Sequence, residues 1–191
     1  MERIRCPWCL GDADYIKYHD TEWGRPVKSS QKFFEFLILE GAQAGLSWLT
    51  ILKRREGYRA AFDNMQADKI ARYGERDVER LLEDSRIIRN KRKILSAIQN
   101  ARAYLKIMEG PVSFSQWLRN WVDGEPIVNH FKTMKELPAS TELSEKMSKE
   151  LKRLGFSFVG PTIVYAFMQA TGIVNDHLVD CYRHPENLPR R

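Results

Sequence analysis

Apolar residues recur along this chain mostly at intervals of three and four, the spacing of a helix face. Phe33, Phe34, Phe36, Leu37, Ile38 and Leu39 form a dense apolar run, and Ser29-Ser30 ahead of it can cap a helix. Gly41 and Gly45 are expected to interrupt that helix. Ser47 then caps another, carrying Trp48, Leu49, Ile51 and Leu52. The pattern predicts helices over 77–83 and 90–109, the second with Ile94, Leu95, Ile98, Ala101 and Leu105 in register. Ser113 caps a short helix with Trp117, Leu118 and Trp121, whereas Gly124, Pro126 and Pro138 mark 122–141 as loop. From Thr141 to Leu154 a charged amphipathic helix places Leu143, Met147 and Leu151 on one face. Gly155 stops it, Pro161 starts the next, and a last helix is expected from about Asn175 to Tyr182. Alternating strand-type runs are not evident, so the pattern describes one all-α unit spanning 1–191.

Composition narrows the class. A chain of 191 residues can bury roughly 70% of its unfolded surface without help from disulfides. The 43% hydrophobic and 29% charged content excludes a disordered chain. Three cysteines are too few, and odd in number, for a disulfide framework and fit a reducing compartment. No apolar segment follows Met1-Glu2-Arg3-Ile4-Arg5, so no secretory signal is read and a cytoplasmic location is expected. The stretch from Leu154 to Asn175 carries no formal charge, but its glycines, Pro161 and polar residues make it a turn leading into a buried helix, not a membrane span. The net charge of +6 points to an anionic partner without choosing one. Part of it is local: Arg86, Arg89, Lys91, Arg92, Lys93, Arg102 and Lys106 lie in a run with no acid, which reads as a solvated face or a surface tracking phosphates.

Three further groups carry candidate chemistry. His177 and Cys181 are spaced to clamp one metal ion from a helix, and Cys6, Cys9 and His19 near the other end offer the remaining ligands. Cys6, Cys9, His177 and Cys181 form one set; exchanging Cys9 for His19 forms another. The bland alternative is buried thiols with a hydrogen-bonded histidine. Second, Ser144 to Met168 reads helix, tight turn, helix, with the turn at 154–160; free N–H groups at such a helix start can bind phosphate without reading sequence. A plain helical corner has the same pattern. Third, Trp8, Tyr15, Tyr18, Trp23 and Trp48 accompany Glu40, a carboxylate at the end of an apolar helix and therefore costly without a partner. Aromatics around one carboxylate suit a flat cationic ring; taken singly, each could equally be core or cap.

The motifs in order resemble one family. Tyr18-His19-Asp20-Thr21-Glu22-Trp23-Gly24, Leu39-Glu40 with Gln43-Ala44-Gly45-Leu46-Ser47-Trp48, Gly155 to Thr162, and Val174-Asn175-Asp176-His177 with Cys181 are similar to the signatures of DNA-3-methyladenine glycosylase I. The likeness runs from about residue 6 to 181. It implies a helix-hairpin-helix fold, with that element at 144–170, and zinc held by Cys6, His19, His177 and Cys181, stapling segments 1–24 and 174–191. It puts Glu40 in the catalytic role and Tyr18, Trp48, Trp8, Tyr15 and Trp23 around the base. Gly45 and Leu46 would fill the gap left by an extruded nucleotide, and Gly155, Val159, Gly160 and Thr162 would grip the DNA backbone. Asn175 stands where many relatives in the wider superfamily carry a catalytic aspartate.

The expected activity is hydrolytic removal of 3-methyladenine from alkylated double-stranded DNA, without a lyase step, by a monomer with no membrane partner and one structural zinc. A non-catalytic, zinc-stabilised module binding damaged DNA shares the basic run and hairpin but needs no buried carboxylate. A zinc hydrolase would need an open coordination position. The sequence leaves open the roles of Cys9, Asn175 and Asp176, and the order of the tail from 182 to 191.

Overall fold

The computed structural model describes residues 3–188. Among these, ten α-helices run in chain order: α1 (Ala13–Thr21), α2 (Ser30–Gln43), α3 (Trp48–Leu52), α4 (Arg55–Ala61), α5 (Ala67–Ile70), α6 (Glu75–Glu83), α7 (Lys91–Met108), α8 (Phe114–Arg119), α9 (Glu142–Arg153) and α10 (Pro161–Ala170). The capping expected from sequence is in place: Ser29, Ser47, Ser113 and Thr141 each accept a backbone N–H from the first turn of the helix they precede. No described helix is long and apolar enough to cross a membrane.

Helix α2 is the centre. Every residue from Phe33 to Ala42 is buried, the signature of a helix apolar all round and enclosed on every side. It packs on α3, α7, α8 and α10. It does not stop at Gly41, as the sequence suggested, but continues to Gln43. Gly41 is needed for proximity, since a Cβ there would sit 3.3 Å from Cβ of Phe158. The end of α2 is fixed by Lys93, whose ammonium donates to the carbonyls of Ala42 and Ala44 at 2.7 Å each. Burial lowers its pKa.

Two expectations need correction. The segment 175–182 is not helical; Val174–Asn175 forms a short strand, β2, and turns follow it. Its partner is β1 (Ile127–Val128), paired in parallel with Ile127 opposite Val174 and Val128 opposite Asn175. The fold is therefore helical with one small parallel bridge. Two residues per strand are too few to leave an alternating pattern in a sequence. The tail packs as far as His184, which is fully buried, and Glu186 to Leu188 are exposed; residues 189–191 of the expected terminal segment, and residues 1–2 of the other, lie outside the described residues.

Candidate functional site: an aromatic cavity beside a four-residue Cys/His cluster

A cavity of about 230 Å³ opens between α1, α2, α3, α10 and the 122–141 loop, lined by Trp8, Tyr15, Tyr18, Trp23, Glu40, Gln43, Trp48, Met134, Leu137, Ala166 and Gln169. That is smaller than the roughly 300–1,000 Å³ of pockets for drug-sized ligands, and it suits one small ring system. The rings touch edge to face: Trp8 lies 5.1 Å from Tyr15, 6.3 Å from Tyr18 and 5.0 Å from Trp23. Tyr18 lies 5.5 Å from Trp48.

Two carboxylates share the buried part of α2, in contrasting states. Glu35 takes hydrogen bonds from Arg59 and Lys32. Glu40 is 3% exposed, and its Oε2 makes no hydrogen bond with any described residue. Burial alone pushes its pKa up to about 8. The indole Nε1 atoms of Trp8 and Trp48 are likewise buried without a partner. Buried polar groups are normally satisfied. One acid and two donors without partners among the described residues line one cavity, and together they can hydrogen-bond a small ring.

Beside the cavity, Cys6, His19, His177 and Cys181 converge, all buried, with one ligand atom from each lying within 4.8 Å of the others. Cys6 Sγ to His177 Nδ1 is 3.7 Å, Cys181 Sγ to His19 Nε2 is 3.4 Å, and Cys181 Sγ to His177 Nδ1 is 3.6 Å. A tetrahedral ion with bonds of about 2.0–2.3 Å has ligand–ligand edges of about 3.3–3.8 Å, so the donor set and spacing fit zinc. The second ring nitrogens are anchored as metal-binding histidines usually are: His19 Nδ1 meets Asp20 Oδ1 at 2.8 Å, and His177 Nε2 meets the Trp23 carbonyl at 3.1 Å. Against desolvation, Arg5 and His19 hold the Asp20 carboxyl down at about 2. The spacing of His177 and Cys181, read as helical, is delivered instead by turns after β2. Cys9 stays outside the cluster; its thiol donates to the Cys6 carbonyl at 3.2 Å, and burial raises its pKa to about 11. Between the two candidate ligand sets, the geometry brings in His19.

The remaining predicted residues occupy the rim. Gly45 sits at φ +77° in the turn after α2, where Leu46 is 41% exposed. The turn from α9 to α10 requires Gly155 at φ +94°, a left-handed conformation costly for other residues. Asn100 of α7 clasps that turn, donating to the Ser157 carbonyl at 3.0 Å and accepting its N–H at 2.8 Å. Gln99 donates to the Gly155 carbonyl at 2.7 Å. Among the described residues, the N–H groups of Phe158, Val159 and Gly160 have no partner. The Val159 side chain is buried, so only its backbone can serve a ligand, while Thr162 is exposed.

Asn175 is structural here, donating to the Gly24 carbonyl and accepting the His177 N–H. Sequence reasoning missed Gln43, Met134, Leu137, Ala166 and Gln169. Of these, Gln43 stood in the signature-like segment without a role, and Gln169 is a lone amide late in an otherwise apolar helix.

A helical fold encloses a narrow aromatic cavity beside one unpaired carboxyl. The chain belongs to the methyladenine glycosylase family, whose sequence model matches residues 8–184. It is 50% identical to DNA-3-methyladenine glycosylase 1 of Escherichia coli K12, over 97% of this chain and 99% of that one. A crystal structure of a 3-methyladenine DNA glycosylase I superposes with a TM-score of 0.93 at 48% identity, covering 95% of this chain and 100% of the other. The Staphylococcus aureus enzyme, studied for its structural basis of 3-methyladenine recognition, gives a TM-score of 0.91 at 35% identity over 98% of each chain.

Proposed function

We propose that this protein is a monofunctional DNA glycosylase that extrudes 3-methyladenine from alkylated duplex DNA and hydrolyses its glycosidic bond, opening base excision repair. The unpartnered Glu40 carboxyl in the aromatic cavity is the observation that carries this reading. Methylation at N3 makes the base in DNA cationic and weakens its bond to the sugar. With no cation beside it Glu40 holds its proton at neutral pH, because ionising it there costs solvation. A cationic base offsets that cost by pairing with the carboxylate in a dry site, whereas neutral adenine supplies no charge. Tyr18 and Trp48 flank the ring, with Trp8, Tyr15 and Trp23 closing the wall. When the C1′–N9 bond breaks, the bonding pair leaves with the base, which departs neutral, and water adds at C1′ and gives up a proton to solvent. Interactions that strengthen as the bond lengthens raise the rate; equal binding of substrate and transition state does not.

The hairpin from α9 to α10 is read as a helix-hairpin-helix element whose free N–H groups hold a phosphate. Leu46 fills the space vacated by the base, and unstacking costs less at a damaged position. Zinc, bound by Cys6, His19, His177 and Cys181, would be structural: four protein ligands leave no position for an activated water. Among the described residues no lysine lines the cavity, which supports hydrolysis without strand cleavage.

The deciding experiment is incubation with methylated duplex DNA, identifying free bases and measuring metal on the same sample. Release of 3-methyladenine with the strand left uncut is expected. Tight binding to that duplex with no base released would instead favour a damage-recognition module.

A further inference from the structure

We propose that Asp176 fixes the side-chain amide of Gln169 so that its carbonyl oxygen faces the base cavity and selects a base bearing an amino group at C6 over one bearing a carbonyl there. This rests on the proposed function, and gives Asp176 the part of a positioning residue.

Asp176 is 1% exposed and saturated by three donors: Asn129 Nδ2 at 2.7 Å, Tyr165 OH at 2.5 Å and Gln169 Nε2 at 2.8 Å. All three groups reach Asp176 as donors, so the carboxyl oxygen beside Gln169 accepts from the amide's NH2 group. The other end of the amide, Oε1, is then left over. It makes no hydrogen bond among the described residues, and Gln169 is part of the cavity wall. Gln43, the other amide of the wall, has no such tether. The network is rigid at both ends. Tyr165 lies one helical turn before Gln169 on α10, and Asn129 follows β1, whose partner strand leads straight into Asp176.

An acceptor held in one sense discriminates by leaving a mismatch unpaired. A C6 amino group donates to Oε1. A C6 carbonyl would set two acceptors face to face in a dry site, with neither satisfied. Sites built to hydrogen-bond a group reject analogues lacking it far better than apolar pockets reject a change of size. 3-Methylguanine is the informative comparison, since its methyl group and its charge in DNA match those of 3-methyladenine while C6 carries oxygen.

The test measures release of both bases from the same methylated duplex by the wild type, Gln169→Met and Asp176→Asn, with metal content and melting temperature recorded for each. The wild type should favour 3-methyladenine. Gln169→Met should lower the ratio of 3-methyladenine to 3-methylguanine release about tenfold, the worth of roughly one hydrogen bond. Asp176→Asn introduces an amide that can donate to Oε1 and so permits Gln169 to turn; 3-methylguanine release should rise. An unchanged ratio in folded, metal-bearing variants overturns the proposal, and Gln169→Met decides alone if Asp176→Asn does not fold. If the wild type releases neither base, the proposed function fails. Equilibrium binding of the two free bases to wild type and Gln169→Met then decides the pair's role by the same ratio.

Discussion

Glu40 shows how one unpaired atom can be costly to the fold and useful to the chemistry. Its neighbour on α2, Glu35, is neutralised by Arg59 and Lys32, so nothing in the sequence position itself forces Glu40 to stand alone. Raised from 4.5 to about 8, the folded Glu40 keeps a proton that the unfolded chain has released. The folded state therefore binds more protons between these values, and stability falls as pH rises through that window, by up to roughly 5 kcal/mol at its upper end. The melting temperature of the wild type should drop from pH 5 to pH 8, and Glu40→Gln should flatten that slope. The same substitution should cut 3-methyladenine release at least about tenfold with metal content intact. Near-normal turnover would remove Glu40 from the reaction. A variant more stable at pH 8 yet nearly inactive is the expected signature of a group kept for its task.

Among the elements, the turn between α9 and α10 depends most on its neighbours. Gly155 sets its direction, but Phe158 also sits at φ +53°, a strained value for a bulky residue, and α7 holds it there through Asn100. Asn100→Ala leaves the Ser157 N–H and carbonyl without partners. Urea unfolding should register a loss of about 2–3 kcal/mol, and affinity for undamaged duplex should fall with it. An unchanged affinity would separate the turn from DNA binding. This clasp was not legible in the sequence: Asn100 reads as one polar residue on a helix whose apolar stripe alone repeats. The stripes and serine caps were legible because each helix announces itself locally. What depended on distant partners was lost. The β1–β2 bridge needed two short segments to meet, and the His177–Cys181 spacing served a turn as readily as a helix. Met134 and Leu137 sit in a loop that nothing local ties to the cavity. The aromatics and Glu40 were legible only as an ordered set, since each alone passes for core.

At the scale of the whole molecule, charge and closure matter most. Much of the acid-free basic run is spent internally: Arg86 pairs with Asp84, Lys93 ends α2, and Arg102 donates to the Ala71 carbonyl. Arg89, Lys91, Arg92 and Lys106 are exposed, as are Arg86 and Arg102 despite their partners. Arg92 lies 6.0 Å from the Phe158 ring, which joins the run to the α9–α10 turn. Arg92→Ala should weaken duplex binding and reduce its salt dependence by about one phosphate contact, read from log–log titrations in salt. In the proposed reading, the Cys/His cluster closes the fold by holding zinc. Cys181→Ser should lower zinc content and the unfolding midpoint together, and a chelator should do the same to the wild type. Full metal content in the variant would dissolve the staple. The cluster also has a consequence in time. Cys6 and His19 precede His177 and Cys181 by the whole run from α2 to α10, so α1 and α2 must be made, and can begin to pack, long before the second pair of donors exists. Such a cluster can form only after α10 has been made, so the helices before it must find one another without it.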